Sequence, residues 1–184
     1  MSAQPASPPA PFDEVITVSS RIDQPRRELG TAVSVLSGEE LIERGYASII
    51  DALRTQPSIG VSNAGGLGKL SALRVRGEEG YRTQVRIDGI DVADPSATQV
   101  TPSVEHLLAT RDIDRIEVLR GPQGFIYGSD SGGVINISSR RGESTLTGDV
   151  GVELGPDGFE RVDAGVSGGS QRADFLLYAS DIET

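Results

Sequence analysis

From Thr147 onward, apolar and polar residues alternate with a period of two. Gly148, Val150, Val152 and Leu154 fall on one side, and Thr147, Asp149, Gly151 and Glu153 on the other. Gly155-Pro156-Asp157-Gly158 has the composition of a turn. Beyond it Val162, Ala164 and Val166 alternate with Arg161, Asp163, Gly165 and Ser167. A second turn is expected over Gly168 to Arg172. Then Ala173, Phe175, Leu177 and Ala179 alternate with Asp174, Leu176, Tyr178 and Ser180. The pattern predicts three strands of about ten residues, each with one apolar and one polar face.

The preceding region has a different rhythm. Ala32 to Leu36 reads as a short strand with Val33 and Val35 on one face. Ser37-Gly38-Glu39-Glu40 is a capping box, with Ser37 at the cap and Glu40 reaching back. Leu36 and Leu41 stand where a hydrophobic staple would, and Gly45 ends the helix after Arg44. A second helix starts at Ser48, with Ile49, Ile50 and Leu53 inward, Asp51 and Arg54 outward, and Pro57 as its stop. Ser62 to Leu70 is a glycine-rich loop. Leu73 and Val75 then alternate with Arg74 and Arg76, and Val85 and Ile87 with Arg86 and Asp88. Asp88-Gly89 turns the chain, and Asp91 to Gln99 reads as a polar loop. Thr101-Pro102 is expected to open a third helix, with Val104, Leu107 and Leu108 on its apolar side. Ile113 to Gly142 reads as strand, turn, strand: Ile116 and Val118 oppose Arg115 and Glu117, Gly121-Pro122 breaks the run, and Val134 to Ile137 resume it. Together these elements predict an α+β unit, a mixed sheet with short helices over its apolar face.

Composition narrows the function. The chain of 184 residues has 23 glycines, eight aromatics and no cysteine. That excludes a disulfide framework and thiol chemistry. The net charge of −10 opposes non-specific nucleic-acid binding, which needs basic patches against phosphate. No run of about 20 apolar residues would make a transmembrane helix. Met1 to Pro11 lacks the basic start and apolar core of a signal peptide, and its Ala, Pro, Ser and Gln content predicts a mobile leader.

Three apparent motifs fail on their chemistry. Asp130-Ser131-Gly132-Gly133 looks like a protease nucleophile, yet His106 is the single histidine and sits on an expected helix just upstream. Gly68-Lys69 is followed by Leu70, where a phosphate loop needs Ser or Thr. Asp88, Asp91 and Asp94 miss the spacing of a calcium loop, and acidic loops are usually just solvated. No enzyme, cofactor or metal site is expected.

One stretch is specific. Arg115-Ile116-Glu117-Val118-Leu119-Arg120-Gly121-Pro122, then Tyr127-Gly128, then Gly132-Gly133-Val134-Ile135-Asn136-Ile137 resembles the end of the plug domain of TonB-dependent outer-membrane receptors. The resemblance implies that residues 31–142 form the plug, residues 1–12 a leader, 13–20 a TonB box and 21–30 a linker. Residues 143–184 would be the first antiparallel strands of a transmembrane β-barrel. Three strands fall short of the ~22 of plugged transporters, so an incomplete barrel and a fragment are expected.

By the same resemblance, Asp13, Glu14, Val15, Ile16, Thr17 and Val18 would pair as a strand with the periplasmic domain of TonB. Substrate would meet Asn63, Gly65, Gly66, Leu67, Lys69, Leu70, Asp91, Asp94 and Ser96. Arg74, Arg76, Arg115 and Arg120 would face acidic residues of the barrel wall, or else form local pairs with Glu117 and Asp88. The protein would sit in the outer membrane with its N-terminus in the periplasm. It would import a ferric siderophore or, from likeness in Ser20 to Arg26, Gly65 to Ser71 and Tyr127 to Asp130, cobalamin. The rival expectation is a secreted β-rich binding or adhesion module.

Overall fold

The computed structural model describes residues 15–16, 24–25, 32–65, 68–94, 96, 101–102, 110–121, 132–170 and 172–183. Two short strands, β1 (Val15–Ile16) and β2 (Gln24–Pro25), pair antiparallel near the start. Next, β3 (Ala32–Ser37) runs straight into α1 (Gly38–Glu43). Ser37 makes that junction, because its Oγ accepts the Glu40 amide at 3.1 Å. The Glu40 carboxylate does not complete the expected box; it pairs with Arg44 at 2.7 Å, one turn on. After α2 (Ile49–Arg54) comes a hairpin, β4 (Ile59–Asn63) and β5 (Ser71–Val75). Ser62 and Asn63 therefore belong to a strand rather than to the loop.

The remaining strands of this unit are β6 (Thr83–Ile87), β7 (Ile90–Asp91), β8 (Ala93–Asp94), β9 (Thr101–Pro102), β10 (Ile113–Arg120) and β11 (Gly133–Ser139). Thr101 and Pro102 do not open a helix. They pair with Asp94 and Ala93, an edge position where proline's missing N–H is tolerated. Residues 103–109, with His106, lie outside the described residues, as do residues 122–131.

Five strands form one sheet in the order β3-β10-β11-β6-β7. β10 is antiparallel to both neighbours, and β11 is parallel to β6, so the sheet is mixed as expected. One face carries the core. Ile116, Val118, Ile135 and Ile137 meet Leu41, Ile49 and Leu53 of the helices. The hairpin adds Leu73 to that core. Val33, Leu119 and Val134 form a smaller cluster of their own. Gly133 lets β11 approach β5: a Cβ there would lie 2.7 Å from Val75 Cγ1. The second face of β10 departs from the simple alternation. Glu117 is fully buried, with Arg115 Nε 3.3 Å from its carboxylate.

The last strands, β12 (Thr147–Leu154), β13 (Glu160–Gly169) and β14 (Asp174–Glu183), form an open antiparallel sheet in chain order. A 3-10 turn at Pro156–Gly158 joins the first two. Gly168 and Gly169 extend β13 past the expected turn. Val150 is 78% exposed and Leu154 73%, while Arg161 is 3% and Asp163 1% exposed. This sheet turns its apolar face outward and buries Arg161 and Asp163 on the other. Among the described residues, no closed barrel is formed. Among the described residues, no helix is long and apolar enough to cross a membrane.

Candidate functional site

The buried charges of β13 define the first feature. Period two places Arg161 and Asp163 on the same face. Arg161 Nη1 donates to Glu153 Oε2, its cross-strand neighbour on β12, at 3.3 Å. The same nitrogen lies 3.4 Å from Thr110 Oγ1, and Nη2 donates to the Ala47 carbonyl. The guanidinium lies over the Phe159 ring, 5.7 Å from its centre. Beside it, Arg111 Nε stands 3.0 Å from Asp163 Oδ1, an ion pair whose alignment falls short of a hydrogen bond. Gly151 leaves room for that pair, since a Cβ there would be 2.4 Å from Asp163 Oδ2. One layer of charge thus joins the three-stranded sheet to the mixed-sheet unit.

A cleft of about 470 Å³ opens above this layer. Its walls are α2 and the two residues before it (Ala47, Ser48, Ile50, Asp51, Arg54), the end of β4 with the loop that follows (Asn63, Gly65, Gly68), and the end of β12 with the turn into β13 (Glu153, Gly155, Pro156, Phe159). Ser48 caps α2 by accepting the Asp51 amide at 3.3 Å and donates to Asp51 Oδ2 at 2.9 Å. Asn63 Oδ1 accepts the Gly65 amide at 2.7 Å, which folds the loop back on itself. The cleft is mixed in character, with one aromatic ring and both signs of charge.

A second cleft, about 420 Å³, lies where the two sheets join and is lined by Ser37, Gly38, Glu39, Asp114, Arg140, Arg141 and Glu143. Near it Arg140 holds the chain, its amide donating to Asp112 O at 2.7 Å and its Nε to Ile113 O at 3.2 Å. Burial pushes the Asp112 carboxyl above the ordinary range, against the pull of its own backbone amide and of Arg140.

The residues expected from sequence are distributed as follows. Asn63 and Gly65 line the larger cleft. Lys69 and Leu70 are exposed on the same loop. Asp91 lies on β7, accepting from Gln84 Nε2 at 2.5 Å and from the Ala93 amide at 3.0 Å. Asp94 lies on β8, and Ser96 is exposed just beyond it. Asp91 and Ser96 do not line the cleft. Gly66 and Leu67 lie outside the described residues.

The four arginines sit inside the mixed-sheet unit. Arg74 Nη1 donates to Ser62 Oγ at 3.0 Å. Arg115 meets Glu117, the local pair anticipated as the alternative. Arg120 donates to Pro57 O and Ser34 Oγ, each at 2.7 Å, tying β10 to the end of α2 and to β3. Arg76 occupies the turn after β5 with φ of 56°. Asp88, the other local partner expected, accepts from the Ser139 amide at 2.9 Å and its hydroxyl at 2.7 Å. Of the amino-terminal strand segment, Val15 and Ile16 pair with Pro25 and Gln24; Asp13, Glu14, Thr17 and Val18 lie outside the described residues. Sequence reasoning missed Arg111, Glu153, Arg161 and Asp163. The available signal was two opposite charges two apart on the polar side of a strand. Among the described residues, no group of three or more metal-binding side chains occurs.

A mixed sheet under short helices, followed by strands with inverted polarity, defines a plug-type domain joined to the opening of a membrane barrel. The family model for the TonB-dependent receptor plug domain matches residues 25–135, and the chain belongs to that family. It is similar to the vitamin B12 transporter of Vibrio vulnificus, 32% identical over 146 residues, which is 79% of this chain and 23% of the relative. It is also similar to the vitamin B12 transporter of Photobacterium profundum, 32% identical over 158 residues, 85% of this chain and 25% of the relative. The chain thus spans about a quarter of the length of these curated relatives.

Among solved structures, the ferripyoverdine receptor of the outer membrane of Pseudomonas aeruginosa matches with a TM-score of 0.73 and 23% identity, over 91% of this chain and 22% of that one. The ferric yersiniabactin uptake receptor of Yersinia pestis matches with a TM-score of 0.61 and 28% identity, over 82% and 23%. The first of these likenesses bears on the fold alone.

Proposed function

We propose that the complete protein is an outer-membrane receptor that imports a scarce nutrient actively, with this chain supplying its plug and first wall strands. The observation that carries the reading is the inverted sheet. Val150, Val152 and Leu154 are bare on one face, while Arg161 and Asp163 of the same sheet are buried against the plug. A sheet of that polarity is stable with lipid outside and a polar filling inside.

The nutrient is read as cobalamin first and a ferric siderophore second, on the strength of the named relatives. It would enter the cleft walled by Asn63, Gly65 and Phe159. Lys69, Leu70, Asp91, Asp94 and Ser96 would meet it outside the cleft. Segment Asp13 to Val18 would add as a strand to the periplasmic domain of TonB. The strand conformation of Val15–Ile16 supports that pairing mode. TonB would then use proton-motive energy to remodel the plug. Residues of the plug would do no covalent chemistry.

Titration of the complete receptor with cyanocobalamin is the test of the nutrient. Saturable binding supports it, and a flat titration beside saturable ferric-siderophore binding replaces it. Calorimetry with the TonB periplasmic domain tests the coupling, since deleting Asp13 to Val18 should abolish binding. Unchanged binding in the deletion would remove that segment from the mechanism.

A further inference from the structure

We infer that Arg161 fixes the seat of the plug on the barrel wall, with the Arg111–Asp163 pair as a second tie. One side chain of the wall reaches two distant points of the sequence and a neighbouring strand. Nη2 holds the carbonyl of Ala47, the residue before the α2 cap. Nη1 reaches Thr110, three residues before β10, and Glu153 on the neighbouring wall strand. A planar fork spreads its donors over separate nitrogens in fixed directions, whereas a lysine ammonium offers its three from a single atom.

Burial makes these contacts selective. Arg161 is 3% exposed and Asp163 1%, so neither charge has water to replace a lost partner. A plug that slid along the wall would leave Arg161 with Glu153 alone and would strip Arg111 from Asp163. Separating one member of a buried pair costs far more than its net worth in the seated state. Among the described residues, Asp163 Oδ2 receives no hydrogen bond, which raises its dependence on Arg111. Gly151 leaves the space that this carboxylate occupies, since a Cβ there would collide with it. Ala47, Glu153 and Phe159, all held by Arg161, also line the larger cleft. The seat and the cleft are therefore built on the same guanidinium.

The alternative is a pair that merely staples β12 to β13. Hydrogen–deuterium exchange on the complete receptor separates the two, without nutrient and without TonB. The inference rests on membership of the plug family and not on the nutrient, so a flat cobalamin titration leaves it standing. In Arg161→Met, exchange at the amides of Ile49–Arg54 and Ile113–Ile116 should quicken by at least about tenfold, with β12 to β14 little changed. Arg161→Lys should give an intermediate rate, and it retains the charge should the Met variant fail to assemble. Arg111→Asp should quicken the same amides, and adding Asp163→Arg should return them toward the original rate. Exchange that changes only within β12 and β13, or nowhere in the Lys variant, would overturn the inference.

Discussion

In the five-stranded sheet, Ile116, Val118, Ile135 and Ile137 turn inward and are fully buried. In the β12–β14 sheet, Val150, Val152, Leu154 and Leu177 alternate just as regularly and are more than half exposed. The strands share a period and differ in what they hide. The plug sheet closes on an apolar core under two helices. The wall sheet closes on Arg161 and Asp163 and offers hydrocarbon to its surroundings. Alternation therefore fixes the conformation of a strand without fixing which face is inside. The solvent on each side decides that, and two sheets of one chain answer to different solvents.

The largest effects should fall in the plug core and be absent from the wall. Ile116→Ala removes buried methyl groups between sheet and helices and should cost about 2–5 kcal/mol of plug stability. Val152→Ala in the same complete receptor, measured in a micelle by denaturant unfolding, should cost much less, because detergent follows the smaller side chain. Equal losses would mean that Val152 faces protein and would break the contrast.

Polarity offers the next test. Val152→Arg should cost about 2–4 kcal/mol in a bilayer if the residue lies near mid-depth. Readout would be the fraction of receptor that inserts and resists heating. A variant that inserts normally would place this strand away from lipid. Smaller again is Ser48→Ala, which removes the α2 cap and should cost about 0.5–2 kcal/mol. Its effect belongs to the plug alone, so it should show in exchange of Ile49–Arg54 and not in β12 to β14.

Much of the architecture was legible because it rests on local rules. Ser37 and Ser48 cap helices as their positions predict, and the three wall strands follow their alternation closely. Other expectations failed for lack of long-range information. Thr101-Pro102 has the local chemistry of a helix start, yet pairing with Ala93–Asp94 won. Ser62 and Asn63 have loop composition, yet pairing with Ala72 and Ser71 drew them into β4. The candidate site was less legible than the fold. Asn63 and Gly65 were flagged by loop composition, and they do line the cleft. Arg161 and Asp163 went unnoticed, since a charge on a strand looks solvated until its partner, 50 or more residues away in Arg111, Thr110 and Ala47, is placed beside it.

Asp112 supplies the finest distinction between the regions, at the point where plug meets wall. Its carboxyl is held above the ordinary carboxylate value, first by burial and in part by the neighbouring charge of Asp88. The folded state therefore favours the protonated form more than the unfolded chain does. Between the ordinary value and the raised one, the folded protein binds more protons than the unfolded one, so stability falls as pH rises through that window. The contribution of Asp112 is most favourable below its ordinary value and least favourable at neutral pH. Asp112→Asn removes the titration and keeps the shape. Unfolding midpoints of the two proteins, followed from about pH 4 to about pH 7 through exchange at Ile113–Ile116, should diverge in favour of the Asn variant as pH rises. Parallel curves would show that the buried Oδ1 finds compensation at the junction and that this border is no drier than the rest of the plug.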